Sequence, residues 1–258
     1  MAGAAIELDG IEKRYGAQVA LTGVSLAVAP GEFTALVGGS GSGKTTLLKT
    51  INRLVAPDAG RVRVEGEDAG AAPPHELRRR IGYVFQEIGL FPHLTVGENI
   101  GVTPRLLGWD RARIADRVET LLDLVALPRD VARRGPAELS GGQRQRVGVA
   151  RALAAEPRLM LMDEPFGALD PLTRDQLGSD YRALHERLGL TTLMVTHDMA
   201  EAVLLADRVV VLSGGRILAD GAPADLLART QDPEVRALLE APRRQAERLR
   251  ARLEGRSQ

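Results

Sequence analysis

The 258-residue sequence contains no cysteine, which excludes disulfides, thiolate metal sites and a cysteine nucleophile and is compatible with a cytosolic home. Aromatic residues are scarce: one Trp, three Tyr and four Phe, none of them clustered as a cage in sequence. Charge of either sign is not in excess, since 34 Lys and Arg balance 34 Asp and Glu, so no global basic field points to nucleic acid. No window reaches the ~18 uninterrupted apolar residues of a membrane span. The N-terminal run Met1 to Asp9 lacks the basic start and apolar stretch of a signal peptide. Any membrane role is therefore expected to come through a partner. Lysine is rare too, with Lys13, Lys44 and Lys49 standing against an otherwise all-arginine basic set. What remains is 44% hydrophobic and 26% charged, enough at this length to bury one large core without staples.

The hydrophobic pattern alternates between strand and helix periods. Val19 to Val28 and Phe33 to Val37 read as strands, followed by a glycine loop from Gly38 to Gly43 and a helix from Lys44 to Leu54. Arg61 to Glu65 and Ile81 to Phe85 read as further strands. From about 88 to 155 the pattern turns helical, with helices over Arg111 to Leu127 and Gln143 to Ala155 and prolines at the joins. Strands return at Arg158 to Met162 and Thr191 to Val195, around a helix from Pro171 to Arg187. That rhythm predicts βαβ crossovers and a parallel sheet. Val209 to Leu212 and Arg216 to Ala219 read as a hairpin, and the chain from Pro233 is helical and arginine-rich.

Gly38-Gly39-Ser40-Gly41-Ser42-Gly43-Lys44-Thr45 fits G-x-x-x-x-G-K-[ST] between a predicted strand and a predicted helix. Glycines let consecutive N–H groups point inward, and the helix N-terminus adds partial positive charge, so the loop suits phosphates. Lys44 is expected on the β- and γ-phosphates and the Thr45 hydroxyl on Mg²⁺; the bland alternative, a flexible turn, leaves Lys44 and Thr45 unexplained. Leu159 to Met162 is an apolar strand ending in Asp163 and Glu164. Two acids at a buried strand end are costly unless a cation or a reacting water occupies them. Asp163 is thus assigned to the Mg²⁺ shell and Glu164 to polarising the attacking water. His197 and Gln86 each close a strand. In isolation they are polar termini; beside a nucleotide they become contacts to the γ-phosphate, to the water or, for Gln86, to the metal.

With Leu139-Ser140-Gly141-Gly142-Gln143 added, the sequence resembles the ABC ATPase family over residues 5 to 228. The resemblance implies an α/β fold: a P-loop NTPase core with a mixed β-sheet, an N-terminal antiparallel β subdomain and an inserted α-helical lobe at about 88–155. It implies an ATPase domain over 1–228 and a short arginine-rich helical tail over 229–258. It also implies that ATP is sandwiched between the cradle, Gly38 to Thr46, of one subunit and Ser140, Gly141, Gly142 and Gln143 of a second. Tyr15 would stack on adenine, or else pack as a core aromatic. Asp170 would link the two sites, and Gln86 would sense both γ-phosphate and transporter. Permease subunits, an extracytoplasmic binding protein and a homodimer follow as implied partners, at the cytoplasmic face of the membrane.

Asn52-Arg53-Leu54, the run from Leu77 to Val96, and Glu98-Asn99 look like importer ATPases for glycine betaine, choline and carnitine, with amino-acid import as the alternative. No residue here recognises a quaternary ammonium, which needs an aromatic cage. That resemblance has a departure: many such ATPases carry paired regulatory CBS modules, and this sequence runs about 30 residues past the ATPase core. Members acting on DNA or ribosomes need a long coiled coil or two cassettes, and a P-loop small-molecule kinase would leave Leu139 to Gln143 unexplained. Ile88, Leu90, Phe91 and Leu94 are expected either to line a docking groove or to pack the lobe's own core.

Overall fold

The structure is a computed structural model that describes residues 4–254; residues 1–3 of the expected leaderless N-terminus and residues 255–258 of the expected tail lie outside it. Strands β1 (Ile6–Tyr15), β2 (Gln18–Val28) and β3 (Phe33–Val37) precede helix α1 (Lys44–Ile51). There follow β4 (Ala59–Val64), the two-residue β5 (Glu67–Asp68), α2 (Pro74–Arg80) and β6 (Ile81–Val84). The next stretch is helical: α3 (Val96–Ile100), α4 (Val102–Leu106), α5 (Arg111–Leu124), two 3₁₀ turns, and α6 (Gly141–Leu153). β7 (Leu159–Asp163), α7 (Pro171–Leu188), β8 (Thr191–Val195) and α8 (Met199–Leu205) lead to the hairpin of β9 (Arg208–Ser213) and β10 (Arg216–Gly221). Helices α9 (Pro223–Arg229) and α10 (Pro233–Glu254) end the described chain.

Two sheets result. An antiparallel one runs β2-β1-β4-β5; the larger runs β10-β9-β3-β8-β7-β6, parallel except where β10 pairs antiparallel with β9. The α/β fold, the mixed sheet, the antiparallel N-terminal subdomain and the helical insertion between β6 and β7 are all as expected. The period-2 pattern of the large sheet divides the core. Phe33, Ala35, Val37, Met160, Met162 and Met194 join the helical lobe in one cluster. Their neighbours Leu36, Leu159, Leu161, Leu193 and Val195 face the antiparallel sheet and α1 in another. Each of these buried Val, Leu, Phe and Met side chains contributes about 1.5–3 kcal/mol of transfer free energy.

Helix ends depart from the periodic pattern for local reasons. α1 stops at Ile51 rather than Leu54, because Asn52 Oδ1 accepts from Leu54 N at 3.1 Å and Arg53 takes a left-handed φ of 56°. α5 stops at Leu124 rather than Leu127, ahead of Ala126 at φ 53° and Pro128. α6 starts two residues early, at Gly141, because Ser140 and Gln143 form a reciprocal capping box. α2, α3, α4, α8 and α9 are too short for a clear period and escape the sequence reading. Among the described residues no helix is long and apolar enough to cross a membrane.

Candidate functional site

Parallel strands deliver the candidate residues to one edge. The loops after β3, β6, β7 and β8 leave the carboxyl ends of neighbouring strands, where open α/β sheets bind ligands. The cradle follows β3. Gly38 has φ 149°, and a Cβ there would lie 2.0 Å from the Leu212 carbonyl oxygen. Gly43 has φ 104°, and its Cβ would meet Ala20 O at 2.5 Å, so the loop is wedged between β9 and the β1–β2 hairpin. Gly39 and Gly41, in contrast, have no atom within 4 Å of an added Cβ and border open space. The buried Lys44 Nζ donates to Gly38 O and Gly39 O, both at 2.8 Å, and to Ser42 Oγ at 3.3 Å. Burial lowers its pKa, and the charges of Glu164 and Asp163 pull it back up.

Thr45, at the start of α1, donates its hydroxyl to Asp163 Oδ1 at 2.9 Å. Burial raises the Asp163 pKa, opposed chiefly by that hydrogen bond. A half-buried hydroxyl and a buried carboxylate, joined to a phosphate-type loop, fit Mg²⁺, which takes oxygen donors and keeps waters and phosphate oxygens in its shell. Glu164 has a left-handed φ of 46°, held by its N–H donating to Val195 O at 2.9 Å. Gln86 Nε2 donates to Glu164 Oε2 at 3.1 Å, and His197 Nδ1 lies 3.3 Å from the same oxygen. Gln86 and His197 thus converge on the Glu164 carboxylate, while no hydrogen bond joins Gln86 to Asp163 among the described residues.

Tyr15 is 49% exposed at the tip of the hairpin that also supplies Ala20 to the cradle, and Lys13 Nζ sits 5.6 Å from its ring centre. It is not a core aromatic. The capping box accounts for Ser140 and Gln143 on local grounds: Ser140 N donates to Gln143 Oε1 at 2.9 Å and Ser140 Oγ accepts from Gln143 N at 3.2 Å. Gly142 has a packing reason, since a Cβ there would lie 2.8 Å from Thr173 Cγ2 on α7. Asp170 caps α7 by accepting from Thr173 N at 3.0 Å.

Other residues shape the site although the sequence assigned them no role in it; Tyr83 and Asn99 appeared there only within the importer-like stretches. Tyr83 OH lies 3.5 Å from Asp163 Oδ2, and burial beside that carboxylate pushes its pKa above the usual phenol range. Asn99, fully buried, accepts from Phe91 N at 2.7 Å and donates to Phe91 O, Leu94 O and Thr95 O, while Arg151 donates to Ile88 O and Gly89 O. These two side chains pin the loop after Gln86. A polar residue amid the apolar positions of α3 was the available signal for Asn99.

The ABC transporter family matches residues 21–167, the span from β2 through the acidic strand end. The chain belongs to that family. It is 50% identical to the choline transport ATP-binding protein OpuBA of Bacillus subtilis over 228 residues, 88% of this chain and 60% of that one. Identity to the glycine betaine uptake system ATP-binding protein YehX of Escherichia coli is 49% over 231 residues, 90% of this chain and 75% of that one. The dimeric post-hydrolysis structure of the ATP-binding cassette MJ0796 bound to ADP and Pi superposes with a TM-score of 0.75 at 33% identity, covering 84% of this chain and 98% of that one. The chain thus spans about three-fifths of OpuBA and three-quarters of YehX.

Proposed function

We propose that this ABC family member binds and hydrolyses ATP as the energising subunit of an importer for quaternary-ammonium osmoprotectants such as glycine betaine, choline or carnitine. The observation that carries the ATPase reading is the convergence of Gln86 and His197 on Glu164, one residue beyond Asp163 and across from the cradle. Kinship to choline and glycine betaine uptake subunits supports the substrate class.

In this reading the backbone N–H groups of Gly38 to Thr46 and the Lys44 ammonium bind the phosphates, and Tyr15 stacks on the base. Glu164 orients the attacking water and accepts its proton; His197 and Gln86 fix that carboxylate and contact the γ-phosphate. Thr45 and Asp163, with Gln86 as a further ligand, hold Mg²⁺, which when bound screens the phosphate charge. Ser140, Gly141, Gly142 and Gln143 present the N-terminus of α6 to the nucleotide of a second copy, and Asp170 relays between the two sites. The ATPase domain occupies 1–228 and the tail 229–258. The assembly sits at the cytoplasmic face of the membrane, joined to permease subunits and through them to a binding protein, with no nucleic acid.

The test is reconstitution with the neighbouring permease and binding protein, followed by ATP-dependent uptake of labelled glycine betaine, choline and a panel of amino acids. Uptake of a quaternary ammonium compound supports the reading. Uptake of an amino acid alone would move the substrate class and leave the ATPase assignment standing.

A further inference from the structure

A cavity of about 480 Å³ lies between α7 and α8, and Arg174 forms part of its wall. Arg174 stands in the first turns of α7, four residues past Asp170. Its Nη2 donates to Leu169 O at 3.1 Å and Gly167 O at 3.4 Å, and its Nη1 donates to Asp198 Oδ2 at 3.1 Å. Asp198 is the neighbour of His197. Its other carboxylate oxygen caps α8 by accepting from Ala200 N at 2.9 Å and Glu201 N at 3.3 Å, and its own N–H donates to Thr196 Oγ1 at 3.0 Å. One guanidinium therefore grips two loops at once: the loop running from Glu164 to Asp170, and the loop that carries His197.

We propose that Arg174 is a positioning residue that sets His197 against Glu164 by clamping the Gly167–Leu169 backbone to Asp198. The inference rests on the reading of Glu164 and His197 as hydrolytic groups. Arginine suits the task where lysine would not, because a planar fork of fixed donors can hold acceptors on two loops in a fixed relation, whereas a single ammonium centre cannot. The grip is partly withdrawn from solvent, with both side chains about 30% exposed, so it is less screened than a surface pair. Two buried atoms in the same cluster, Arg174 Nε and Glu201 Oε1, find no hydrogen-bond partner among the described residues. The loop from Gly167 to Asp170 is the one proposed to reach a second cassette. The clamp would carry its displacement to the imidazole without any movement of the cradle.

The test is steady-state ATP hydrolysis by the full chain carrying Arg174→Ala, Asp198→Asn, His197→Ala, and each pair of them. Asp198→Asn retains an oxygen to cap α8 while removing the ion pair, so it keeps the test alive should Arg174→Ala fail to fold. Arg174→Ala and Asp198→Asn are each expected to lower kcat about 10- to 100-fold, the cost of a small misplacement at a reacting centre, with KM for ATP within about twofold of wild type. The two together should fall no further than either alone, and adding Arg174→Ala to His197→Ala should cost nothing more. A kcat unchanged in Asp198→Asn, or losses that multiply across the pairs, would overturn the clamp. A wild-type chain that does not hydrolyse ATP would remove the proposed function along with it, an outcome read before any variant is made.

Discussion

The hydroxyl of Thr45 lies 2.9 Å from Oδ1 of Asp163, although 118 positions separate the two residues in sequence. Thr45 opens the helix that the cradle links to β3, and Asp163 ends β7; those two strands are not neighbours, since β8 runs between them and pairs with both. The contact therefore reports the whole parallel core, since it forms only if three strands end at a common level. It also joins the helix that begins at the cradle to the strand that ends in Glu164, the group on which hydrolysis is proposed to depend.

Glu164→Gln should keep ATP binding while lowering turnover on the order of 10²–10⁴, the span of a lost general base. The Gln amide fits the same space beside Gln86 and His197, so fold and cradle stay in place. Single-turnover hydrolysis together with equilibrium ATP binding checks both halves. Near-normal turnover would take Glu164 out of the role.

Gly38 and Gly39 are adjacent but should fail differently. A Cβ on Gly38 would lie 2.0 Å from Leu212 O, with the backbone at φ 149°, so Gly38→Ala is expected to destabilise the fold by about 1–3 kcal/mol. Gly39 borders open space, so Gly39→Ala should leave stability within about 1 kcal/mol and weaken ATP affinity instead. Urea unfolding and ATP titration of the two variants separate these outcomes; equal unfolding midpoints would contradict the wedge between β9 and the cradle.

Much of this was legible in the sequence, because regular elements and the cradle obey short-range rules. The switch between periods 2 and 3.6 located the main strands and long helices, and the glycine pattern followed by Lys44-Thr45 located the cradle. Asp163 and Glu164 stood out as acids ending an apolar strand. What escaped depends on contacts across the fold. Arg174 is one of many arginines until α7 lays it against Asp198, and Tyr83 is an ordinary strand residue until β6 sets its hydroxyl beside Asp163. The apolar loop after Gln86 also divides only in three dimensions. Leu90 packs onto the lobe core and Ile88 against Gly148, while Phe91 is 42% exposed.

Phe91 shares a cleft of about 450 Å³ with Phe85 and Leu54, and all three are exposed. Because Asn99 and Arg151 hold the surrounding backbone, Phe91→Asp should change stability by no more than about 0.5 kcal/mol. If the cleft seats the permease, reconstituted uptake should fall at least about tenfold, while ATP hydrolysis by the isolated chain stays within about twofold of wild type. Intact uptake would show that the permease docks elsewhere.

Glu201 gives the chain a pH dependence whose sign can be worked out. It stands in the first turn of α8 with 9% of its surface exposed, and burial pushes its carboxyl from the ordinary 4.5 up to about 7. The Thr196 hydroxyl and the charges of Arg174 and His197 pull the other way, and Asp198 adds to the rise. Between about pH 4.5 and pH 7 the folded chain holds a proton that the unfolded chain has released. Stability therefore falls as pH rises through that window and levels off above it, a loss of about 3 kcal/mol from this group. Glu201→Gln keeps the shape of the protonated acid but has no proton to lose. The variant should match wild type near pH 4.5 and exceed it by about 2–3 kcal/mol at pH 8. Chemical unfolding of both proteins at intervals across this range measures the difference directly. Two curves that stay parallel from pH 4.5 to 8 would show that Glu201 does not titrate in this window.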